Sequence, residues 1–104
     1  MLEKYTLYIG LNDKDTKIQK VNTLEAYKII ENVLLGYNVE GATIFEAKGI
    51  YKHESGEYVT ENTLRIELLF VDKATVKKVV EDIKRILNQE SIAVQFEKVE
   101  SELW

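Results

Sequence analysis

Alternating apolar and polar residues predict four strands in this chain. The first runs from Tyr5 to Ile9, and the others lie at about 42–51, 58–71 and 92–96. Side chains on a strand alternate between its two faces, so every second residue shares a face. In the third strand this rule places four large apolar residues together: Leu64, Ile66, Leu68 and Phe70.

Two longer segments show the spacing of amphipathic helices. Asn22 is placed to cap the first, with Glu25 three residues later, and Gly36 is placed to end it. Asp72 is placed to cap the second helix. The apolar stripe of that helix consists of Val76, Val79, Val80, Ile83, Ile86 and Leu87.

The predicted order is strand–helix–strand–strand–helix–strand, which is the ferredoxin-like β-α-β-β-α-β motif. We therefore predict an α+β fold in which right-handed connections place both helices on one face of a four-stranded antiparallel sheet. The first and third strands are the most apolar and are expected at its centre. The length fits one such domain, residues 1–104.

Composition narrows the classes of function. There are 18 acidic and 14 basic residues, a formal net charge of −4, which argues against nucleic-acid binding because that depends on neutralising phosphates. The chain has no cysteine, so disulfides and thiolate metal sites are excluded and a cytoplasmic location is expected. No segment of about 18 apolar residues predicts a membrane span. No glycine-rich phosphate motif occurs, and no cofactor is predicted.

Candidate chemistry in the predicted hairpin is sparse. The only histidine, His53, lies in the turn. Histidine is the commonest general acid or base, but no metal partner or nucleophile accompanies it, so a solvated turn residue is the simpler interpretation. The carboxylates of the hairpin match no metal-binding spacing and are expected on a solvated face; they are Glu46, Glu54, Glu57, Glu61 and Glu67. No catalytic residue and no metal site are predicted.

Tyrosines and polar sheet residues are the remaining candidates for binding a ligand or partner. Tyr51 and Tyr58 flank the turn and are expected to face each other. Such a pair either forms an aromatic wall for a ligand or stabilises the hairpin as a cross-strand pair. The polar candidates in the sheet are Tyr8, Arg65, Glu67 and Gln95. Arg65 and Glu67 suit pairing with their neighbours on adjacent strands equally well.

Three patches of sequence carry a resemblance to known proteins. They are Tyr5–Leu11, Gly41–Gly49 and Gly56–Glu61. Together they resemble a family of small uncharacterised bacterial proteins, classed only as a domain of unknown function.

The order of elements, with a long hairpin between the second and third strands, is also similar to PII-like signalling proteins. That resemblance implies oligomers, commonly trimers, which bind small ligands between subunits and contact partners through the hairpin. It also implies a glycine-rich phosphate loop after the third strand, where Val71–Thr75 holds no glycine. The resemblance therefore supports the architecture rather than a nucleotide site.

Two functions remain open at this level. The first is a non-enzymatic module of PII-like architecture that senses a small ligand or binds a protein. The alternative is a small enzyme of the dimeric α/β-barrel type, with its site enclosed by two sheets. The first is favoured because no set of residues forms a chain of nucleophile, base and orienting group. Two helices cover only one face of a sheet, so a homo-oligomer formed through the open face is expected.

Overall fold

The computed structural model describes residues 2–52 and 55–104. Within these residues the chain forms, in order, β1 (Leu2–Gly10), α1 (Thr23–Gly36), β2 (Ala42–Lys52), β3 (Tyr58–Leu68), α2 (Lys73–Ile86) and β4 (Ala93–Val99). The strands form one antiparallel sheet in the order β2-β3-β1-β4. The predicted ferredoxin-like α+β fold, with β1 and β3 at the centre, is confirmed. No helix in the described part of the chain is long and apolar enough to cross a membrane.

The pairing of β1 with β3 creates the sheet side of the core. Leu7 lies opposite Ile66, and the neighbouring pairs on the same face are Tyr5 with Leu68 and Ile9 with Leu64. None of these six side chains is more than 2% exposed. Complete burial of one aliphatic side chain contributes about 1.5–3 kcal/mol. The helices cover this face with buried residues of their own: Ala26, Ile30, Leu34, Val76, Val79 and Ile83.

The third strand ends earlier than its alternation predicts. It stops at Leu68, and Phe70 adopts a left-handed backbone with φ of 61°. The predicted place of Phe70 beside Leu64 on the core face is wrong, since its side chain is 53% exposed. Asp72 caps α2 only two residues later. The chain must reverse direction within that short distance, and a strand cannot.

Asparagines take the left-handed conformation in the turns after both helices. The first helix ends at Gly36, as predicted, and the left-handed residue of the turn that follows is Asn38, with φ of 57°. Asn88 does the same after α2, with φ of 50°. In each case the next amide donates to the carbonyl five residues earlier, Val39 to Leu34 and Gln89 to Lys84. This Schellman pattern satisfies carbonyls that the helix end leaves free.

The outer part of the β2–β3 hairpin extends beyond the rest of the sheet. β3 pairs with β2 along its whole length, from Tyr58 to Leu68, but pairs with β1 only from Thr63 onward. Residues 58–62 are therefore part of a two-stranded ribbon. The predicted tip residue His53 lies outside the described residues, as does Glu54.

The cap of α2 gives a direct test of local stability. The Asp72 side chain accepts a hydrogen bond of 2.7 Å from the Thr75 amide, and this bond lowers the pKa of the carboxyl below its ordinary value of 3.8. We expect Asp72→Ala to cost about 1 kcal/mol in the free energy of unfolding, whereas Asp72→Asn keeps an acceptor and costs much less. Chemical denaturation at neutral pH measures both.

The pH dependence of this cap has a definite sign. Because folding lowers the pKa of Asp72, its contribution is present above pH 3.8 and fades as the pH falls through the lower folded-state value. The difference in stability between the wild type and Asp72→Ala should therefore shrink under acid. A difference that stays constant down to pH 2 would show that the carboxylate does not form the cap.

Candidate functional site

The sheet face opposite the helices carries most of the polar residues predicted as candidates. Register places Tyr8 opposite Arg65, and Arg65 opposite Phe45, in one row across three strands. Thr6 and Glu67 form the adjacent row, with Gln95 on the far side of Thr6. Since directly paired residues share a face, all of these side chains lie on the open face.

Arg65 is the centre of a cluster on this face. Its guanidinium lies 5.4 Å from the ring centre of Phe45 and 5.9 Å from that of Tyr8. One of its terminal nitrogens forms a 2.8 Å ion pair with Glu67, and Lys4 pairs with the same carboxylate oxygen at 3.0 Å. The Tyr8 hydroxyl donates to Gln95 at 3.1 Å. We call these residues the Arg65 cluster: Lys4, Tyr8, Phe45, Arg65, Glu67 and Gln95.

The cluster leaves one donor unused. Arg65 Nε is buried and has no hydrogen-bond partner among the described residues. Buried donors are nearly always paired in folded proteins, by protein or by water. The cluster therefore presents a fixed, cationic group with spare hydrogen-bonding capacity on a face that also exposes an aromatic ring, Phe45.

A cleft of about 600 Å³ adjoins the cluster at the hairpin end of the sheet. Its floor is formed by Tyr8 and by small residues of all four strands, and its walls come from the loop after β1, the hairpin and the loop before β4. This volume falls in the range of about 300–1,000 Å³ that is usual for small-molecule sites. Its lining includes Gly10, Asn12, Asp13, Ala47, Gly49, Tyr51, Glu61, Thr63, Glu90 and Ala93.

Two glycines allow side chains to approach the floor of the cleft. A Cβ built on Gly10 would lie 2.2 Å from a carboxylate oxygen of Glu61, so the carboxylate occupies the space that a side chain would fill. The other oxygen of Glu61 accepts a hydrogen bond of 3.1 Å from the Asn12 amide. A Cβ on Gly49 would similarly lie 2.8 Å from the Thr63 hydroxyl. Absence of side chains at these positions fixes where Glu61 sits.

One wall of the cleft is tied to the end of α2. The Asn88 amide nitrogen donates to both carboxylate oxygens of Asp13, at 3.0 and 2.7 Å, and this bond lowers the pKa of that carboxyl. Asp13 is only 4% exposed. The Gln89 side chain donates to the Asn12 carbonyl at 2.8 Å. The loop after β1 is thereby held against the α2–β4 connection.

Side chains of both charges line the cleft. Partial burial raises the pKa of the Tyr51 hydroxyl, and the carboxylates of Glu61 and Glu90 raise it further. The basic residues of the lining are Lys14, Lys17 and Lys48. The cleft therefore offers both acidic and basic groups to a ligand.

The structure separates the two hairpin tyrosines. Tyr51 pairs with Val59 and Tyr58 pairs with Lys52, so the tyrosines lie on opposite faces of the ribbon. The prediction that they face each other is wrong, because their offset in register is one residue. Tyr58 instead lies under the Lys52 ammonium, 5.9 Å from its ring centre. Tyr8, Tyr51, Arg65 and Glu67 are brought to the open face, whereas Tyr58 is not.

Glu61 was not among the site residues predicted from the sequence. It is one of the hairpin carboxylates expected on a solvated face, yet its carboxylate occupies the space that a side chain at Gly10 would fill. We call this space the notch. Alternation in β3 places Glu61 on the same face as Arg65, which is a signal available from the sequence. Among the described residues, no three His, Cys, Asp or Glu side chains are arranged to hold a metal ion.

Alanine at Gly10 tests the notch. The new Cβ should push the Glu61 carboxylate off the Asn12 amide, and loss of that charge-assisted bond should cost about 1–2 kcal/mol in the free energy of unfolding. Gly41→Ala is the matched control, because no described atom lies within 4 Å of its added Cβ. Equal effects of the two substitutions in chemical denaturation would contradict the notch.

Comparison with solved structures shows the same fold in proteins of low sequence identity. A phage SAM lyase in complex with S-methyl-5′-thioadenosine aligns with a TM-score of 0.70 and 20% identity, over 93% of this chain and 81% of that one. The periplasmic divalent cation tolerance protein CutA from Archaeoglobus fulgidus aligns with 0.66 and 14%, over 99% and 88%. The B. subtilis GlnK–ATP complex aligns with 0.57 and 20%, over 92% and 84%.

These similarities show the fold alone, which is the ferredoxin-like architecture of PII and CutA proteins. No curated protein matches the chain by sequence. The family model described as "Protein of unknown function (DUF3574)" matches residues 4–102. The chain therefore belongs to that family.

Proposed function

We propose that this domain binds a small molecule in the cleft beside Tyr8 and Tyr51, and that a second copy of the chain closes the cleft over the open sheet face. In this proposal the domain is a ligand-sensing module that presents its β2–β3 hairpin to a partner. The ligand is a compound that contains adenosine.

The placement of Glu61 is the observation that carries the proposal. A carboxylate on a strand normally points into solvent, but this one lies over Gly10 in contact distance of the backbone and accepts the Asn12 amide. A cleft of about 600 Å³ opens next to it. A charged acceptor held in a fixed position at the floor of a concave site is what recognition of a hydroxyl or amino group requires.

The chemistry of the cleft suits an adenosine. Tyr8 and Tyr51 offer aromatic surface, and stacking of a base on an aromatic side chain contributes about 1–3 kcal/mol. Glu61 and Glu90 offer acceptors for the two ribose hydroxyls. Two solved structures of this fold contain such compounds by name, S-methyl-5′-thioadenosine and ATP. Lysines as well as carboxylates line the cleft, so its charges do not select one of these compounds over the other.

The open face supports closure by a second copy. Phe45, on the edge strand β2, is 41% exposed on this face, next to Arg65, whose Nε has no hydrogen-bond partner among the described residues. In the single chain the cleft is open above the sheet, and a neighbouring sheet or hairpin would cover it. Apolar surface surrounded by polar groups is typical of protein interfaces.

An enzyme that acts on an adenosine compound is the second candidate. The observation that favours it is the similarity to a SAM lyase, with a TM-score of 0.70. Glu61 would then contact the reacting part of the substrate rather than only bind it. Incubation of the protein with SAM, followed by chromatographic analysis for S-methyl-5′-thioadenosine, separates this candidate from a sensing module.

Ligand binding is tested by thermal unfolding and calorimetry. We expect S-methyl-5′-thioadenosine, SAM or ATP to raise the melting temperature, by on the order of 10 °C at one hundred times the Kd of the compound that binds. Glu61→Gln keeps an acceptor for Asn12 but removes the charge, and should weaken binding by about 10- to 100-fold. Glu31→Gln, an exposed position on α1, is the control. No shift with any adenosine compound at millimolar concentration would refute the proposed ligand.

The oligomer is tested separately by light scattering. The wild type should have a mass that is a multiple of 12.1 kDa. Phe45→Glu should lower this mass to that of one chain, because it places a carboxylate in the apolar part of the face while offering Arg65 a new ion pair within the monomer. Leu35→Glu changes an even more exposed apolar residue, on α1, and should leave the mass unchanged. A wild type with the mass of one chain at tens of micromolar would contradict the interface.

A further inference from the structure

A second apolar surface lies on the helix side of the sheet, between β4 and α2. It is a groove of about 410 Å³. Phe96, which is 56% exposed, and Val94 form one wall, and the ring of Tyr5 lies 6.1 Å from that of Phe96. Val76 and Val80 of α2 form the other wall. We call this the β4–α2 groove.

Charged side chains lie along the α2 side of the groove. Lys73 and Lys77 both line it, and the Lys73 ammonium lies 5.1 Å from the ring centre of Phe96. Glu81 lines it too, and its carboxylate pairs with Lys84 at 3.3 Å. The groove therefore joins an apolar floor to a rim with a net positive charge. A complementary occupant would combine a large apolar side chain with acidic neighbours.

The segment after β4 has that composition. Residues 100–104 read Glu-Ser-Glu-Leu-Trp. Leu103 is 89% exposed and Trp104 is completely exposed, while the indole donates to Glu102 at 2.8 Å. Aromatic side chains bury about 150–250 Å² when they pack, so burial of this exposed tryptophan would contribute a large hydrophobic stabilisation.

We propose that the β4–α2 groove binds residues 100–104 of a second copy of this chain. Trp104 packs against Phe96, Val94 and Val80 of the neighbour, and the glutamates of the segment lie beside Lys73 and Lys77. The inference is independent of the proposed function, since the groove is on the opposite face of the sheet from the cleft.

A hairpin return of the segment along β4 does not bring Trp104 into the groove of its own chain. Val94 lies five residues before the end of β4, on the order of 17 Å along the strand. The tightest reversal, a two-residue turn at residues 100 and 101, would bring Trp104 opposite Glu97. Glu97 pairs with Lys4, on the open face, whereas Phe96 pairs with Tyr5 on the helix face. A longer turn stops even further from Val94.

Fluorescence of the full-length protein tests this inference, because Trp104 is the only tryptophan. In the wild type at tens of micromolar we expect blue-shifted emission and several-fold weaker quenching by acrylamide than for a free indole. The double variant Lys73→Glu, Lys77→Glu reverses the rim and keeps acidic residues at the start of α2, which suits the helix. It should restore the emission and quenching of an exposed indole. Leu35→Ser, an exposed residue of α1, is the control.

Complementation distinguishes a neighbour's groove from the chain's own. The double lysine variant has Trp104 but a defective groove, and Trp104→Ala has an intact groove but no indole. After the two are unfolded together and refolded as a mixture, the indole should again be protected. If the indole is no better protected in the mixture than in the double variant alone, the segment does not bind between chains and the proposal is overturned.

Two further outcomes also overturn it. One is an indole in the wild type that is as exposed as free tryptophan at every concentration. The other is protection that survives in the double lysine variant, which would place Trp104 at some other surface. Phe45→Glu should leave protection unchanged, so failure of the open-face interface and failure of this inference can be told apart.

Discussion

The antiparallel register between β1 and β3 determines both faces of the sheet at once. Pairing of Leu7 with Ile66 buries one set of side chains under the helices, and pairing of Tyr8 with Arg65 exposes the alternate set. A slip of β3 by one residue would turn its side chains to the opposite faces. Arg65 and Glu67 would then lie under the helices, and the three core residues of β3 would lie in solvent, which makes that slip prohibitive. The same interaction that stabilises the fold therefore positions the Arg65 cluster and the floor of the cleft.

The cleft depends on residues that the core does not need. Gly10 ends β1, where any other side chain would compete with Glu61 for space. Asp13 and Asn88 then hold the following loop against the end of α2. These contacts join three separate parts of the chain at the hairpin end of the sheet. They restrict the conformations of two loops. Because the core is already buried without them, we interpret these contacts as support for the candidate site.

Patterns of short range could be predicted from the sequence, and convergence of distant side chains could not. The caps at Asn22 and Asp72 follow from local hydrogen bonding and are found as predicted. The strand order follows from the order of elements.

The position of Glu61 over Gly10 joins residues that are 51 positions apart in the sequence. No local pattern indicates that a glycine leaves room for the side chain of such a distant residue. The opposite orientations of Tyr51 and Tyr58 depend on hairpin register, which alternation within one strand does not define. Phe70 fits the alternation but lies after the strand has ended.

The two-stranded ribbon beyond Thr63 separates the hairpin mechanically from the rest of the domain. Among the described residues, β1 and β4 do not pair with its strands there, but the loop after β1 is bonded to its base. The Leu11 amide donates to the Asn62 carbonyl at 3.0 Å, and the Asn12 amide donates to Glu61 at 3.1 Å. Bending of the ribbon between Glu61 and the turn therefore breaks no contact in the helix-covered core. Insertions or deletions of paired residues in that part would change the reach of the hairpin without changing the sheet from which it extends.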